Sequence, residues 1–363
     1  MRNLCFLVYD YTKKGGAERA IAKLTKELTK DYNITILSVF NLYDDLAYEE
    51  TKGIRYLKIF NSVKSIPKNI VRITREIRKV IKENEVDTFI AVDVATAFMA
   101  VLGTRFTNTK LIVCDRSSCY NEAMYRHITL RLYAWAGIRF SDRYQVMTED
   151  GKRGCVEKYH IPNDKIVVIP NWIDENAIRD TKYNFKQNRI ITVGRATEEK
   201  NYEELIKIAE KIQSQCAGWQ WHIWGDFTSE YGRHLLKMIE SKGLGGFLIH
   251  KGTTDSIYDV YSKYSFFVLT SKYEGMPNVI LEAQGSKLPV ISYNCKTGPS
   301  ELIENGVNGF LVELNNTEAM CKKIITLAHD QELAEEISGH ANLNYERFSK
   351  SKILHQWKEL LGR

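Results

Sequence analysis

Short apolar runs alternate with longer amphipathic stretches along the chain, and this alternation is typical of parallel α/β units. Runs such as ITILSVF and SFFVLT are almost continuously apolar, as expected for strands buried on both faces of a sheet. The pattern predicts strands over residues 3–10, 34–40, 54–60, 87–93, 110–116, 143–149, 166–170, 189–194, 219–225, 247–251, 265–271, 288–293 and 309–313. It predicts helices between them over residues 17–30, 66–83, 200–215, 228–242, 276–286 and 316–329.

The alternation stops once, between residues 171 and 188, and resumes with the strand RIITVGR. The interrupting segment is polar and aperiodic, which is typical of an interdomain connection. We therefore predict two Rossmann-like, doubly wound parallel-sheet domains, with an N-terminal domain over 1–171, a linker over 172–188 and a C-terminal domain over 189–348. A last helical pattern over 349–363 has an apolar side that must be buried, and it could pack back on the N-terminal domain.

The bulk composition is that of a globular protein. The 363-residue chain is 44 % hydrophobic and 26 % charged, and its length suits two domains. Its seven cysteines are scattered and odd in number, which favours reduced thiols over a disulfide framework or a zinc site. We expect no cleavable leader before the first strand, and no apolar run reaches the ~18 residues that a membrane span requires. We therefore expect a cytoplasmic protein.

The net charge of +6 belongs to the first half of the chain. Nine basic residues and one acidic residue fall between positions 51 and 80. An anionic partner is therefore expected to meet the N-terminal half. The charge is modest and no nucleic-acid recognition motif accompanies it, so we expect no nucleic-acid partner.

A pair of glycines marks the turn from the first strand to the first helix. Gly15 and Gly16 allow close backbone approach to a ligand at the helix N-terminus, which favours anions. The neighbouring cations Lys13, Lys14 and Arg19 favour an anion site, whereas a tight turn alone is the alternative interpretation. The full G-x-G-x-x-G fingerprint is missing, which argues against a dinucleotide site.

The predicted C-terminal domain opens with VGRATEEK. Arg195 follows the first strand of this domain, and Lys200 comes five residues later near the start of a helix. Arginine can hold a diphosphate through a forked pair of donors and lysine as a point charge. A solvated pair of basic residues is the alternative.

Two carboxylates follow the strand SFFVLT in the segment KYEGMPNVILEAQG. Glu274 precedes a Gly275–Pro277 turn into a helix, and Glu282 lies eight residues later within that helix. Amides at Gly275, Met276 and Asn278 would face a ligand at the carboxyl edge of the sheet, where open α/β sheets bind ligands. A buried Glu282 would need a polar partner such as paired sugar hydroxyls. The alternatives are that Glu274 caps the helix and that Glu282 is an exposed helix residue.

The ordered set GGAER, VGR-x4-K, EGMPNVILE, KLPVIS, TGPSELI and ENGVNGFLV resembles glycosyltransferase family 4, the retaining enzymes of the GT-B fold. The resemblance covers nearly the whole chain and is strongest over 189–315. It implies two Rossmann-like domains facing each other across a cleft. It also implies transfer of a hexose or N-acetylhexosamine from a nucleotide sugar, by family habit a UDP-sugar, to a saccharide acceptor.

The resemblance assigns roles to individual positions. Arg195 and Lys200, following Gly194, would bind the donor diphosphate and stabilise the departing nucleotide, with no metal or other cofactor. Glu282 would hold the ribose hydroxyls. Glu274 would contact the transferred sugar near its anomeric carbon, together with the donor-binding segment of Gly275, Met276, Pro277 and Asn278. Gly16 would let the N-terminal loop approach the donor phosphate across the cleft.

One position departs from the family pattern. Many relatives place a histidine after the fifth strand of the first domain, and this chain has CDRSS there, with Arg116 at the corresponding position. Arg116 is therefore a candidate for contacting donor or acceptor phosphates, and a strand-end salt bridge with Asp115 is the alternative. The family implies retention of the anomeric configuration through front-face attack, in which the leaving phosphate takes the acceptor proton.

The segment KSIPKNIVRITREIRKVIK predicts a basic amphipathic helix. Isoleucines follow one side of it, and another side carries cations that include Lys68, Arg72, Arg75 and Lys79. Such a helix can rest on anionic lipid or can simply cover the sheet. Many family members extend lipid-linked saccharides, so we expect a polyprenyl-diphosphate-linked acceptor, cell-surface polysaccharide synthesis and peripheral contact with the inner face of the cytoplasmic membrane.

Other functions are compatible with the same architecture. A nucleotide-sugar epimerase would release a free sugar, and a glycan phosphorylase would need a pyridoxal-phosphate lysine and a much longer chain. A non-catalytic partner subunit would not need to keep Arg195, Lys200, Glu274 and Glu282 together. An NAD-linked oxidoreductase would need the missing glycine fingerprint.

Overall fold

The chain folds into two compact units. The computed structural model describes residues 1–13, 15–43, 45–48, 52–120, 128–178 and 183–362. The first unit comprises Met1–Asn171 together with Ile353–Arg363, and the second comprises Trp172–Lys352.

The first unit contains a parallel sheet. Its strands are β1 (Arg2–Asp10), β2 (Tyr32–Phe40), β3 (Ile54–Phe60), β4 (Thr88–Val92), β5 (Lys110–Cys114), β6 (Arg143–Val146) and β7 (Ile166–Val168). Their order across the sheet is β3-β2-β1-β4-β5-β6-β7. The helices of the described residues are α1 (Gly16–Leu28), α2 (Ile66–Glu83), α3 (Val94–Thr104), α4 (Ile128–Phe140) and α5 (Glu149–Tyr159), with a 3-10 turn at Asn163–Lys165.

The second unit repeats this architecture on a smaller sheet. Its strands are β8 (Arg189–Val193), β9 (Gln220–Trp224), β10 (Leu248–His250), β11 (Phe266–Leu269), β12 (Val290–Asn294) and β13 (Gly309–Glu313), in the order β10-β9-β8-β11-β12-β13. Its helices are α6 (Tyr202–Ile212), α7 (Glu230–Ser241), α8 (Ile257–Tyr261), α9 (Asn278–Gly285), α10 (Pro299–Leu302), α11 (Thr317–His329) and α12 (Gln331–Gly339). Further 3-10 turns lie at Glu175–Ala177, Phe185–Gln187, Glu198–Lys200 and Ala341–Asn344. The predicted class of two doubly wound parallel sheets is confirmed.

The apolar pattern explains why these elements form. All five residues of β4 are buried, because helices cover both faces of the sheet. Helix α2 buries Ile73, Ile77 and Ile81 along one side and exposes its cations along the other. The isoleucines therefore pack in the core of the first unit, so the interpretation of α2 as a cover helix holds.

The segment expected to be a linker packs into the second unit. The backbone N–H of Ile173 donates to the carbonyl of Phe348 over 2.9 Å, and the Tyr183 hydroxyl donates to the carbonyl of Ser265 over 2.7 Å. The ring of Phe185 meets that of Trp219 edge-on at 5.7 Å. The described part of 172–188 is thus structurally integrated, because its aromatic rings supply apolar contacts that the polar sequence pattern concealed.

The last helix, α13 (Lys350–Leu361), belongs from Ile353 onward to the first unit. Its apolar side, including Ile353 and Trp357, is buried. The Lys110 side chain donates to the carbonyl of Leu360 over 2.7 Å. The chain end therefore returns to the amino-terminal sheet.

The seven cysteines, all in described parts of the chain, are buried and form no disulfide. Burial raises the pKa of the Cys114 thiol to about 12, and burial likewise raises that of Cys295 to about 12. Because thiolates are the reactive form, these buried thiols serve as packing groups.

Candidate functional site

The loop after β8 is held at the point where the strand order of the second sheet reverses. Strand β8 pairs with β9 on one side and with β11 on the other. The N–H of Gly194 donates to the carbonyl of Trp224 over 2.9 Å, and the Tyr202 hydroxyl donates to the carbonyl of Gly194 over 2.7 Å. This reversal is the position at which open α/β sheets bind ligands.

Gly225 makes this turn possible, although the sequence pattern did not single it out. Its φ is 155°, and a Cβ built on it would lie 1.8 Å from the carbonyl oxygen of Gly194. A side chain at Gly225 would therefore displace the loop that carries Arg195 and Lys200. A glycine after the second strand of the unit was the available signal, but the contact with Gly194 is visible only in three dimensions.

The loop after β11 lies against the loop after β8. The hydroxyl of Thr270 donates to the carbonyl of Lys200 over 3.1 Å, and the N–H of Lys272 donates to the carbonyl of Glu199 over 2.8 Å. These bonds bring the Lys200 ammonium to 2.6 Å from Glu274 Oε1. The side chains of Lys200 and Glu274 are 22 % and 10 % exposed, so this ion pair is largely shielded from water.

Glu274 is fixed by a neighbouring loop and does not cap the helix. The hydroxyl of Thr297 donates to its backbone carbonyl. Helix α9 begins at Asn278, two residues later than expected, and its N-cap is Pro277. Gly298 has a φ of 99°, and a Cβ there would lie 2.6 Å from Pro277 Cδ. The loop after β12 can therefore approach Pro277 this closely only because residue 298 is a glycine. Within this segment Met276 is buried, while Gly275 and Asn278 are half-buried.

Glu282 is buried within α9. It is 4 % exposed, and the Tyr261 hydroxyl donates to its Oε2 over 3.2 Å. This position excludes the alternative of an exposed helix carboxylate. Burying a carboxylate costs free energy, so a buried carboxylate is expected to have polar partners in the protein or in a ligand.

Three buried polar atoms on these loops have no hydrogen-bond partner among the described residues. They are Thr197 Oγ1, Asn201 Nδ2 and Ser271 Oγ. Asn201 also has a left-handed backbone, with φ at 57°. Buried polar atoms of this kind are rare and call for an explanation, and a polar ligand on the Lys200 loop would satisfy them. The sequence does not single out these residues, because hydroxyl and amide side chains in loops carry no pattern of their own.

Arg195 lies exposed beside the acidic turn after β9. Hydrogen bonds from Thr228, with a further contribution from Arg195, hold the pKa of Asp226 below its usual range. The guanidinium is therefore available at the surface of the same loop on which Lys200 is half-buried.

Arg116 is placed by the first unit at the end of β5. Its Nη1 donates to Asn171 Oδ1 over 2.9 Å, and its guanidinium lies 5.9 Å from the Trp357 ring centre. Asp115 instead accepts hydrogen bonds from Ser117 and Tyr144, so the alternative of an Arg116–Asp115 salt bridge is wrong. Burial lowers the pKa of the guanidinium.

A strained aspartate faces Arg116 at the end of β4. Asp93 has a φ of 85°, unusual for a residue other than glycine, and its buried Oδ1 has no hydrogen-bond partner among the described residues. Burial, and next the charge of Asp115, raise the pKa of Asp93 to about 6, while Arg116 opposes that rise. The carboxyl ends of β4 and β5 thus hold two carboxyls and one guanidinium.

The glycine turn of the first unit leaves open space. A Cβ added at Gly16 would meet no atom within 4 Å, so internal packing does not require glycine there. The Tyr48 hydroxyl donates to the carbonyl of Gly15 over 2.8 Å. Lys13 is exposed and Arg19 half-buried, whereas Lys14 lies outside the described residues.

The cations of α2 that were proposed to meet an acceptor or lipid are exposed: Lys68, Arg72, Arg75 and Lys79. The Arg72 guanidinium lies 4.8 Å from the Phe60 ring centre. Among the described residues no helix is both long and apolar enough to cross a bilayer. The same residues contain no group of three or more His, Cys, Asp or Glu side chains that could hold a metal ion.

Two family models match most of the chain. Residues 174–342 match the model described as glycosyl transferases group 1, and residues 14–177 match the model described as glycosyltransferase family 4. The second match contains the glycine turn and Arg116. The first contains the ion pair and Glu282.

Several named proteins are similar over their full length. The chain is 26 % identical to an uncharacterized glycosyltransferase of Haemophilus influenzae, over 99 % of this chain and 100 % of that one. It is 27 % identical to the amylovoran biosynthesis glycosyltransferase AmsD of Erwinia amylovora, over 100 % of both chains. It is 23 % identical to a Campylobacter jejuni enzyme named GalNAc-alpha-(1->4)-GalNAc-alpha-(1->3)-diNAcBac-PP-undecaprenol alpha-1,4-N-acetyl-D-galactosaminyltransferase, over 100 % of this chain and 99 % of that one.

The fold is also that of solved structures. HepE of Anabaena, crystallised in complex with UDP, matches with a TM-score of 0.82 at 19 % identity over 99 % of each chain. At this identity the match shows a shared architecture of two Rossmann-like sheets.

Proposed function

Because the chain belongs to glycosyltransferase family 4, we propose that it is a retaining hexosyl- or N-acetylhexosaminyltransferase that uses a UDP-sugar as donor. The observation that carries this proposal is the shielded ion pair of Lys200 and Glu274 at the strand-order reversal of the second sheet. A cation and a carboxylate held together there supply one group for a phosphate and one for a sugar hydroxyl.

The proposed donor site lies in the second unit and extends from its surface into its interior. Exposed Arg195 and half-buried Lys200 bind the diphosphate, Glu274 contacts the transferred sugar, and buried Glu282 accepts hydrogen bonds from the ribose hydroxyls. Gly194 and the Gly275–Asn278 segment shape the backbone around the donor. The choice of uridine is supported by the UDP complex of HepE, a protein of the same fold.

In the proposed reaction the bond from the anomeric carbon to the diphosphate oxygen breaks, and the acceptor hydroxyl oxygen bonds to that carbon from the same face. The acceptor proton passes to the departing phosphate oxygen. Arg195 and Lys200 stabilise the charge that develops on the nucleotide, an electrostatic role that requires neither a metal nor another cofactor.

We propose that the acceptor is a saccharide on a polyprenyl diphosphate, used in cell-surface polysaccharide synthesis at the inner face of the cytoplasmic membrane. The Campylobacter relative carries an undecaprenyl-diphosphate-linked saccharide in its name, and the Erwinia relative is named for polysaccharide biosynthesis. The exposed cations of the first unit (Lys13, Lys68, Arg72, Arg75 and Lys79), together with half-buried Arg19 and Arg116, suit a diphosphate or an anionic surface.

The testing experiment is calorimetry of UDP, GDP, ADP, UDP-sugars and NAD, each in the presence of a chelator. We expect one nucleoside diphosphate to bind, and we expect Arg195→Ala to weaken that binding. Incubation with the matching UDP-sugar and a polyprenyl-diphosphate-linked saccharide should then yield a product whose anomeric configuration, read by NMR, equals that of the donor.

Other results would replace the proposal. Release of an altered free sugar without acceptor would show an epimerase. Binding of none of the nucleotides would show a non-catalytic partner subunit. Inversion at the anomeric carbon would overturn the retaining mechanism while leaving the donor site in place.

A further inference from the structure

Helix α4 packs with its small residues inward. Ala134, Ala136 and Gly137 are buried, and a Cβ added at Gly137 would lie 2.6 Å from the Cβ of Ala97 on α3. The two helices approach so closely at this point that small residues are needed there. Of the larger aliphatic residues of α4, Ile138 is buried, at 4 % exposed.

Four other large apolar residues of α4 are exposed to solvent. The exposed fractions are 67 % for Ile128, 55 % for Leu132, 52 % for Trp135 and 43 % for Phe140. The spacing of Ile128, Leu132 and Trp135 places them along one side of the helix. An ordinary amphipathic cover helix keeps most of its large apolar residues inside, whereas α4 buries Ile138 and exposes these four.

A fifth apolar side chain extends this surface from the segment after α3. Phe106 is 92 % exposed and has a left-handed backbone with φ at 65°, an outlier for a bulky side chain. The Arg105 guanidinium lies 5.3 Å from the ring centres of both Phe106 and Phe140, and the rings of Trp135 and Phe140 meet edge-on at 5.7 Å. We call Phe106, Ile128, Leu132, Trp135 and Phe140 the α4 patch.

The α4 patch is accompanied by arginines. Arg105, Arg131, Arg139 and Arg143 are all exposed, and the Arg139 guanidinium lies 5.7 Å from the Phe140 ring centre. The nearby carboxylate of Asp142 accepts a hydrogen bond from the Leu111 N–H over 2.7 Å. The patch thus combines exposed aromatic rings with a surplus of fixed positive charge.

We infer that the α4 patch is the surface by which the protein docks on an anionic lipid bilayer. Tryptophan and phenylalanine rings are favoured at the boundary between lipid headgroups and acyl chains, and arginines pair with lipid phosphates. Apolar burial and charge attraction act together in such interfacial binding. The inference deepens the proposed function and rests on it, since a lipid-linked acceptor gives the enzyme a reason to stay at the membrane.

Charge favours lipid over a second copy of the chain. A two-fold dimer through the α4 patch would place the same arginines opposite each other, and such like-charge contact is unfavourable. A bilayer containing anionic lipid instead supplies phosphates at the depth where the aromatic rings end.

Helix α2 plays a different part in this arrangement. Its Ile73 and Ile77 are used in the core of the first unit, so α2 can contribute charge but little apolar surface for insertion. Within α2, all of which lies in the described part of the chain, Val71 is the large apolar residue that is strongly exposed, with 70 % of its surface accessible. We therefore expect the cations of α2 to attract the protein to an anionic membrane from a distance, without inserting apolar side chains into it.

The experiment is cosedimentation of the full chain with vesicles of phosphatidylglycerol and phosphatidylethanolamine, with phosphatidylcholine vesicles as the neutral reference. We expect the wild type to bind the anionic vesicles. The double variant Phe106→Ser, Trp135→Ser should bind at least about tenfold more weakly, because two aromatic side chains no longer enter the interface. The control is Val71→Ser, which removes an apolar side chain that is 70 % exposed outside the patch and should bind as the wild type does.

Three results would overturn the inference. These are wild-type protein that does not bind anionic vesicles, equal binding by the double variant, and a concentration-dependent dimer in sedimentation velocity that the double variant abolishes. Phe106 and Trp135 belong to the first unit, so circular dichroism and thermal unfolding of the full chain, expected to match the wild type, show that the double variant is folded. Vesicle binding without any sugar transfer would instead refute the proposed function and leave the docking surface standing.

Discussion

Lys200 donates a hydrogen bond from its ammonium to Glu274 Oε1 over 2.6 Å, and this contact joins the loops after β8 and β11. The two side chains are mostly shielded from water, so each stabilises the charge of the other. Because the pair is formed within one unit, its cation and carboxylate are already positioned for a donor. A substitution of either residue leaves the other without its partner.

We expect Lys200→Ala to lower kcat by about 10²- to 10³-fold, the usual effect of removing one preorganised charge from a transition state. Steady-state kinetics with a UDP-sugar donor measures this effect. Lys211→Ala is the matched control, because it breaks an ion pair of the same 2.6 Å length with Glu318 that is exposed on both sides. Equal activity of the two variants would contradict the role given to Lys200.

Glu282→Gln tests the buried carboxylate, since glutamine keeps the shape and removes the charge. Loss of charged hydrogen bonds to ribose should weaken UDP binding by about 10- to 100-fold, which corresponds to about 1.5–3 kcal/mol. Calorimetry measures the change. Glu318→Gln is the control, because Glu318 has a 77 % exposed side chain on α11. Wild-type affinity in Glu282→Gln would show that the ribose binds elsewhere.

Much of this architecture could be predicted from periodicity. Helix α2 begins and ends at the expected residues, because Ile73 and Ile77 alternate with cations at a helical spacing that tertiary contacts do not override. The family resemblance implied that Lys200 and Glu274 share one donor site, and the structure places their side chains 2.6 Å apart. The helix thus depends on local pattern, whereas the pairing was expected only from the resemblance.

Other features depended on contacts between distant parts of the chain. The pattern ITLRLYAWAGIRF shows a helix with bulky apolar residues, but the pattern does not contain the close approach of Gly137 to Ala97, beside which Leu132 and Trp135 remain exposed. Tyr183 and Phe185 lie in a polar segment, yet their aromatic rings and hydroxyl find partners in the second unit. Local sequence patterns do not predict contacts between residues that lie this far apart in the chain.

Asp93 should make the stability of the protein depend on pH in an unusual direction. Burial raises the pKa of this carboxyl to about 6, whereas in the unfolded chain it ionises near 3.8. Between these values the folded state holds the proton more tightly, so the contribution of Asp93 to stability is lost as pH rises from about 4 to about 6.

The Asp93→Asn variant should not show the loss of stability between about pH 4 and about pH 6, because asparagine does not ionise. The free energy of unfolding of the variant minus that of the wild type should rise with pH across this window and then level off. Denaturant unfolding of both proteins at several pH values measures this difference. The contributions of the other carboxylates are common to both proteins and cancel when the two free energies are subtracted. Asp164→Asn, which removes an exposed carboxylate of the same unit, is the control. A difference that stays constant with pH would place the titration on another group, with Asp115 the first to examine.

Gly225→Ala should destabilise the second unit and damage the donor site together. The added Cβ would lie 1.8 Å from the carbonyl oxygen of Gly194, a distance that no rotamer change can relieve. The backbone between Gly194 and Lys200 must then move, at a cost of about 1–3 kcal/mol for overpacking. We expect lower thermal stability and weaker UDP binding.

Gly218→Ala separates this steric effect from backbone strain. Gly218 has a φ of 82°, but a Cβ there would meet no atom within 4 Å, so alanine costs only the left-handed conformation, about 1–2 kcal/mol. Gly218→Ala should therefore lose stability and keep full affinity for UDP, whereas Gly225→Ala should lose both. Unchanged UDP affinity in Gly225→Ala would mean that the Gly194 loop does not shape the donor site, and the role assigned to Lys200 through that loop would have to be withdrawn.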